Sequence, residues 1–139
     1  MEPHEVMVCM RCAGLRRSEM TDMRPMDVRG VNFGPFALSN VVYKGPLVRD
    51  VLIKAGFDLE KIKGFHLISS GLDDDFRGEP VETSVPLSVV LDPINEVILA
   101  YSANGESLPE DHGFPIRILY PGYIGLRSTK WLIKMIVSE

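Results

Sequence analysis

The chain has 139 residues, 45% hydrophobic and 24% charged, enough apolar material for a single domain with a buried core. Its formal net charge of -4 gives no general attraction to nucleic acid or anionic membranes, so any anion site must be built locally from Arg, Lys and backbone N–H groups. No apolar run reaches the roughly 20 residues of a membrane span, the start Met1-Glu2-Pro3-His4-Glu5 has no secretion-signal pattern, and two cysteines are too few for a disulfide scaffold.

Along the chain, Val6, Val8 and Met10 alternate with Met7, Cys9 and Arg11, which predicts a strand running into a turn at Gly14 and the charged run Arg16-Arg17-Ser18-Glu19. A strand this close to the start needs neighbours, so the chain is expected to begin inside a sheet. From Thr21 to Gly45, Pro and Gly interrupt any long period, and irregular loop with short extended pieces is expected. Pro46 in a first turn, an apolar face of Leu47, Val48, Val51, Leu52 and Ala55, and Gly56 as a stop predict a helix. Phe65 to Ser69 reads as a buried strand leading to an acidic turn, Asp73-Asp74-Asp75. Ser84 and Pro86 are expected to open a short helix through Leu91, ended by Asp92-Pro93. Val97 to Tyr101 and Ile116 to Tyr120 predict strands, as do the alternating Trp131, Ile133, Met135 and Val137, with Asn104-Gly105 a tight turn. With no repeat or linker, this predicts one α+β domain over residues 1–139, rich in sheet with short helices.

Cys9 and Cys12 have CxxC spacing, but there is no second cysteine pair and His4, His66 and His112 are scattered, which argues against a zinc site. Residues three apart on a strand face opposite ways, so the two thiols should not act together. Cys9 reads as a small buried hydrophobe. Cys12 ends its strand at Ala13-Gly14, just before Arg16 and Arg17, a place that suits a thiolate and a soft metal. From this context alone, burial and function both stay open, and a hydrolytic Cys12 activated by His112 is a weaker third reading.

The run from Cys12 to Met20, CAGLRRSEM, resembles the cysteine motif of the sulfite oxidase family of molybdenum enzymes, which also includes plant-type nitrate reductases. Leu99-Ala100-Tyr101, Asn104-Gly105, Leu108-Pro109 and the block Asp111 to Arg117 continue the resemblance in order. So do Tyr120-Pro121-Gly122, Gly125, Arg127-Ser128 and Lys130-Trp131-Leu132, with Leu47 to Leu52 and Gly71-Leu72-Asp73 between the blocks. Ser18-Glu19-Met20 and Arg24-Pro25 look more like sulfite oxidase than nitrate reductase.

The resemblance implies a sulfite-oxidase-type molybdopterin-binding fold and the molybdenum-molybdopterin cofactor, with Cys12 as the protein ligand to molybdenum. It implies pterin contact at Asp73, pterin and phosphate contacts at His112, Arg117, Ser128, Thr129 and Lys130, and oxyanion-substrate binding at Arg17. The expected reaction is oxidation of sulfite to sulfate by oxo transfer. The implied partners are an electron acceptor such as a haem protein and, in the complete protein, a second copy as a homodimer; a eukaryotic member would be expected in the mitochondrial intermembrane space. Nucleic acid and membrane are not expected partners. A buried phosphate dianion is ordinarily compensated by Arg forks, a Lys charge and backbone N–H groups, which fits this residue set. Taken singly, Arg117 and Lys130 read as solvated charges, Asp73 as a loop cap, and Arg17 as an ion pair with Glu19 or Asp22.

Leu15 stands where the family usually has Asn or Asp, and Phe33 about where it commonly has Trp. Family domains extend on both sides of this stretch, so a partial domain, truncated at both ends and lacking full activity by itself, is expected. That leaves as rivals a truncated or degenerate member without turnover and a nitrate-reductase-like molybdenum domain.

Overall fold

The expected alternation is realised in β1 (His4–Arg11), where Val6 and Val8 are buried while Glu5, Met7 and Cys9 face solvent. The computed structural model describes residues 1–24, 28–59, 62–75 and 77–139, so Pro25 of the family-like Arg24-Pro25 pair lies outside the described residues. β1 pairs antiparallel along its whole length with β2 (Leu38–Gly45), from His4 opposite Gly45 to Arg11 opposite Leu38. β2 then pairs with β6 (Ser102–Ala103), and β6 with β7 (Glu106–Ser107), giving the order β1-β2-β6-β7. The β6–β7 hairpin turns at Asn104-Gly105 with φ of 51° and 84°, the two positive values of a type I′ turn.

Two segments depart from the expectation for Thr21 to Gly45. Arg17–Met23 forms a short helix, α1, and Leu38–Gly45 is a full strand rather than short extended pieces. The first three residues of β2, Leu38, Ser39 and Asn40, are exposed, which removes the apolar alternation that would reveal it, and its stability comes from β1.

A second sheet has the order β4-β3-β9, with β3 (His66–Asp74) central between β4 (Pro80–Pro86) and β9 (Leu132–Ser138). Asp73 and Asp74 therefore end a strand instead of forming a turn. The turn follows, with the Asp75 carboxylate accepting from the N–H groups of Arg77 at 2.7 Å and Glu79 at 3.2 Å. Ser84 lies within β4, and the helix expected to begin there, α3, is confined to Leu87–Leu91. The predicted helix after Pro46 is α2 (Val48–Lys54), with Val48 and Leu52 buried.

A two-stranded ribbon, β5 (Ile98–Ala100) with β8 (Arg117–Leu119), joins two cores. Strand alternation sends Leu99 and Ile118 into a cluster with Val48, Leu67, Leu87 and Tyr120, and Ile98, Ala100 and Leu119 into another with Val6, Val8 and Tyr43. Arg117 shares the parity of Leu119, so its side chain enters the second cluster's side of the ribbon, beneath Tyr43. The architecture is α+β and dominated by sheet. Among the described residues no helix is long and apolar enough to cross a membrane.

Tyr120 is 1% exposed and its hydroxyl has no hydrogen-bond partner among the described residues. Burial, partly offset by the nearby Ser69 hydroxyl and Arg127, pushes its phenol from 10.0 up to about 12. The unfolded chain releases this proton near pH 10 and the folded chain holds it until about 12, so the contribution is constant below pH 10 and is lost as pH rises through that window. Tyr120→Phe should abolish this alkaline loss, on the order of 2–3 kcal/mol, and be no less stable at pH 7 because an unsatisfied hydroxyl is removed. Denaturation midpoints of both proteins from pH 7 to 12 check this, and an unchanged alkaline slope in the variant would contradict it.

Candidate molybdopterin site

Residues far apart in sequence converge on one cavity of about 540 Å³. Met10 and Cys12 come from the end of β1, Tyr43 from β2, Asp73 from β3, Asp111 and His112 from a single 3-10 turn (Glu110–His112), Arg117 from β8, and Ser128, Thr129 and Lys130 from the segment before β9. Every residue expected to touch the pterin, its phosphate or the metal is therefore brought to one place. Arg17 is not among the lining residues.

Cys12 follows directly on β1, its N–H bonded to Ala37 O at 2.9 Å. The residue is exposed, and its Sγ accepts a long hydrogen bond from Gly14 N–H at 3.4 Å. Among the described residues that bond comes from backbone and not from an imidazole, so nothing here activates Cys12 through His112. Cys9 is also exposed, against the expectation of a buried hydrophobe, because it shares the solvent face of β1 with Glu5 and Met7. It lies outside the cavity lining, as opposite facing requires.

The two arginines expected beside the thiol are used elsewhere. Arg16 pairs with Glu19 through a 2.8 Å bond from Nε, so the ion pair anticipated for Arg17 belongs to its neighbour. Arg17 donates to Val31 O at 2.8 Å, and its guanidinium lies against Gly14 and Gly30.

Arg117 carries the electrostatics of the cavity. It is 5% exposed, donates to His112 O and Ser128 O at 2.9 Å each, touches Met10 Sδ at 3.6 Å, and sits 5.9 Å from the centre of the Tyr43 ring. Burial lowers its pKa, with Tyr43 acting in the opposite direction. Among the described residues its guanidinium has no carboxylate in ion-pair contact, and its Nε has no hydrogen-bond partner. A cation held out of water with neutral partners only is costly, and an anion in the cavity would offset that cost. Asp73 supplies the complementary feature, since its buried Oδ1 is an acceptor without a donor among the described residues.

Ser128 and Thr129 are both 3% exposed and bonded inward. Ser128 Oγ accepts from Tyr120 N–H at 3.2 Å, while Thr129 Oγ1 joins Ser69 and Thr83 in a buried triangle of hydroxyls 3.0–3.1 Å apart. Lys130 Nζ donates to Asp111 O at 2.8 Å and lies 3.9 Å from the Trp131 ring centre. Gly113 has φ of 107°, and a Cβ there would approach Lys130 Cβ to 3.0 Å, so glycine lets the turn sit against the lysine. Tyr43 was missed in the sequence. Its place in the alternation Val41-Tyr43-Gly45 would mark it as inward-facing only once β2 is recognised as a strand.

The model of the oxidoreductase molybdopterin-binding domain matches residues 1–139. The chain belongs to this family. This molybdopterin-binding domain is 45% identical over 135 residues to sulfite oxidase of Gallus gallus, a match covering 97% of the chain and 29% of that protein. It is 40% identical over 136 residues to the NAD(P)H nitrate reductase of Hordeum vulgare, covering 96% of the chain and 15% of that protein. Among solved structures, the sulfane dehydrogenase SoxCD from Paracoccus pantotrophus superposes with a TM-score of 0.77 at 26% identity, over 99% of the chain and 32% of that structure. The domain thus spans less than a third of the length of each of these relatives.

The family's cofactor, molybdenum-molybdopterin, fits the donor set of the cavity. Arg117 offers a buried cation to the phosphate, Asp73 Oδ1 offers an acceptor to pterin N–H groups, and Cys12 offers a sulfur at the rim. Among the described residues no three His, Cys, Asp or Glu side chains could hold a metal together.

Proposed function

We propose that this domain serves an oxidoreductase that converts sulfite and water to sulfate, releasing two electrons and two protons. The observation that carries the reading is one cavity lined by Cys12, by a buried Arg117 that has no carboxylate in ion-pair contact among the described residues, and by Asp73, whose Oδ1 has no donor among them. When bound, the cofactor supplies the oxo transfer and takes up the electron pair. Cys12 holds it through its thiolate, which as a soft ligand suits the metal better than any oxygen donor in the cavity. Asp73 would accept from the pterin ring, Arg117 and Lys130 would compensate the phosphate charge, and His112 would help to hold the pterin from the same cavity lining. Thr129 acts through the backbone it fixes, its hydroxyl held in the triangle with Ser69 and Thr83, while Ser128, whose Oγ accepts from Tyr120 N–H, keeps its own O–H for the phosphate.

Arg17 is proposed to help hold the oxyanion substrate. Guanidinium groups form charge-assisted bonds with such anions, and Arg17 lies on the same turn region as Cys12. A haem protein as electron acceptor, a homodimeric complete protein and a mitochondrial location in a eukaryote complete the proposal. Sulfite is favoured over nitrate because the identities to sulfite oxidases run from 40% to 45% and those to nitrate reductases from 38% to 40%.

Steady-state sulfite oxidation with an artificial one-electron acceptor, normalised to bound molybdenum and run beside nitrate reduction, tests this reading. Sulfite turnover well above nitrate turnover is expected, and the reverse order would move the domain to the nitrate reductase side of the family.

A further inference from the structure

We propose that Trp131 is a positioning residue of the cofactor site, its ring and indole N–H together fixing the Lys130 ammonium and the turn that carries His112. The inference rests on the cofactor reading above. Along a regular strand, neighbouring side chains point to opposite faces, which would separate residues 130 and 131. Trp131 instead has φ of 46°, in the left-handed region that is a genuine outlier for a bulky residue. The alternation is broken there, and the two adjacent side chains stack, with Lys130 Nζ 3.9 Å from the ring centre. Backbone strain of this kind persists only where surrounding contacts over-determine it.

Those contacts all lead to the site. Trp131 Nε1 donates to Glu110 O at 2.8 Å, Lys130 Nζ to Asp111 O at 2.8 Å, and Arg117 to His112 O at 2.9 Å. Three successive carbonyls of one short turn are therefore each held by a different side chain, and two of the three donors are residues expected to meet the cofactor. The Trp131 carbonyl in turn accepts from Leu72 N–H at 3.0 Å, next to Asp73. The lysine spends one of its three donors on Asp111, and the ring holds the ammonium by cation–π attraction without consuming another. Trp131 thus touches the elements that set Lys130, His112 and Asp73, although it is not itself required to contact the pterin.

The test compares the chain with Trp131→Phe, which keeps an aromatic face, and Trp131→Leu, which does not; Trp131→Met replaces the leucine variant should that one be unfolded. Two quantities are read: the chemical shift of the Lys130 ε-methylene protons in the cofactor-free chain, and the pterin and molybdenum content after production in cells that make the cofactor. A ring-current upfield shift is expected in the parent and the phenylalanine variant and should vanish in the ringless variant. Cofactor content should fall by about 10-fold or more in the ringless variant and by only a few-fold in Trp131→Phe, as for other residues that orient ligand-holding groups. A ringless variant with parental cofactor content, or a parent whose Lys130 protons show no ring-current shift, overturns the positioning role alone. A parent chain that takes up no molybdopterin contradicts the cofactor reading and this proposal with it.

Discussion

Replacing Cys12 with Ser is expected to lower molybdenum-dependent oxidation by about 100-fold or more, while Cys9→Ser leaves most of it. Both cysteines are exposed, so exposure does not separate them; position does. Cys12 lines the cavity that contains Arg117 and Asp73, whereas Cys9 lies on the solvent face of β1 and lines no part of it. A serine hydroxyl stays protonated at neutral pH and is a hard donor, so it cannot replace a thiolate at the metal although it is nearly the same size. The substitution removes one long hydrogen bond from Gly14 N–H and should leave folding almost unchanged. The rates of both variants per bound pterin check this, and equal losses from the two changes with folding intact would contradict the assignment of Cys12.

The second large effect is expected at Arg117. Arg117→Met keeps much of the bulk while removing the charge, and it should weaken cofactor binding by about 2–5 kcal/mol, the usual cost of taking one partner from a desolvated charge pair. Its effect on folding of the cofactor-free chain should be smaller, because two contributions oppose each other. The bonds to the His112 and Ser128 carbonyls are lost, at about 1.5–3 kcal/mol each for a charged donor. Against that, the folded chain no longer keeps a cation away from water, which costs several kcal/mol when no anion compensates it. The lowered pKa of Arg117 has burial as its largest cause, the same desolvation seen as a weaker hold on the proton. The net change in folding is expected within about 2 kcal/mol, which is read from denaturation midpoints beside the pterin content of the purified variant. Unchanged pterin content would return Arg117 to a purely structural role.

Local chemistry made some features legible and hid others. The alternation of Val6, Val8 and Met10, the apolar face of α2 and the Asn104-Gly105 turn are short-range signals, and each corresponds to an observed element. β2 and β4 were not legible, because their stability comes from partners distant in sequence. Leu38-Ser39-Asn40 carries no apolar period, and Ser84 followed by Pro86 imitates a helix start inside a strand. The cysteines show the same division. Facing along β1 follows from periodicity, but Cys9 being exposed depends on what covers the strand. Arg16 and Arg17 look like natural neighbours for the Cys12 thiol by proximity in sequence, yet α1 directs one to Glu19 and the other to Val31. The convergence of Cys12, Asp73, His112, Arg117, Ser128, Thr129 and Lys130 was expected only through the family resemblance, since spacing alone says nothing about which of these meet. Tyr43 and Trp131 became visible only in three dimensions, one through β2 pairing and the other through a left-handed backbone.

A cavity that takes molybdopterin with Cys12 at the metal should shield one of the two exposed cysteines and not the other, so each serves as the other's control. The chain is treated with a limiting thiol alkylating agent before and after loading with molybdenum-molybdopterin, and modification at each cysteine is quantified by peptide mass spectrometry. Both cysteines are exposed in the structure, so both should react in the cofactor-free chain. After loading, Cys12 should be protected in proportion to bound molybdenum while Cys9 reacts as before. Cys12 that remains as reactive as Cys9 in a chain carrying stoichiometric cofactor would contradict the account.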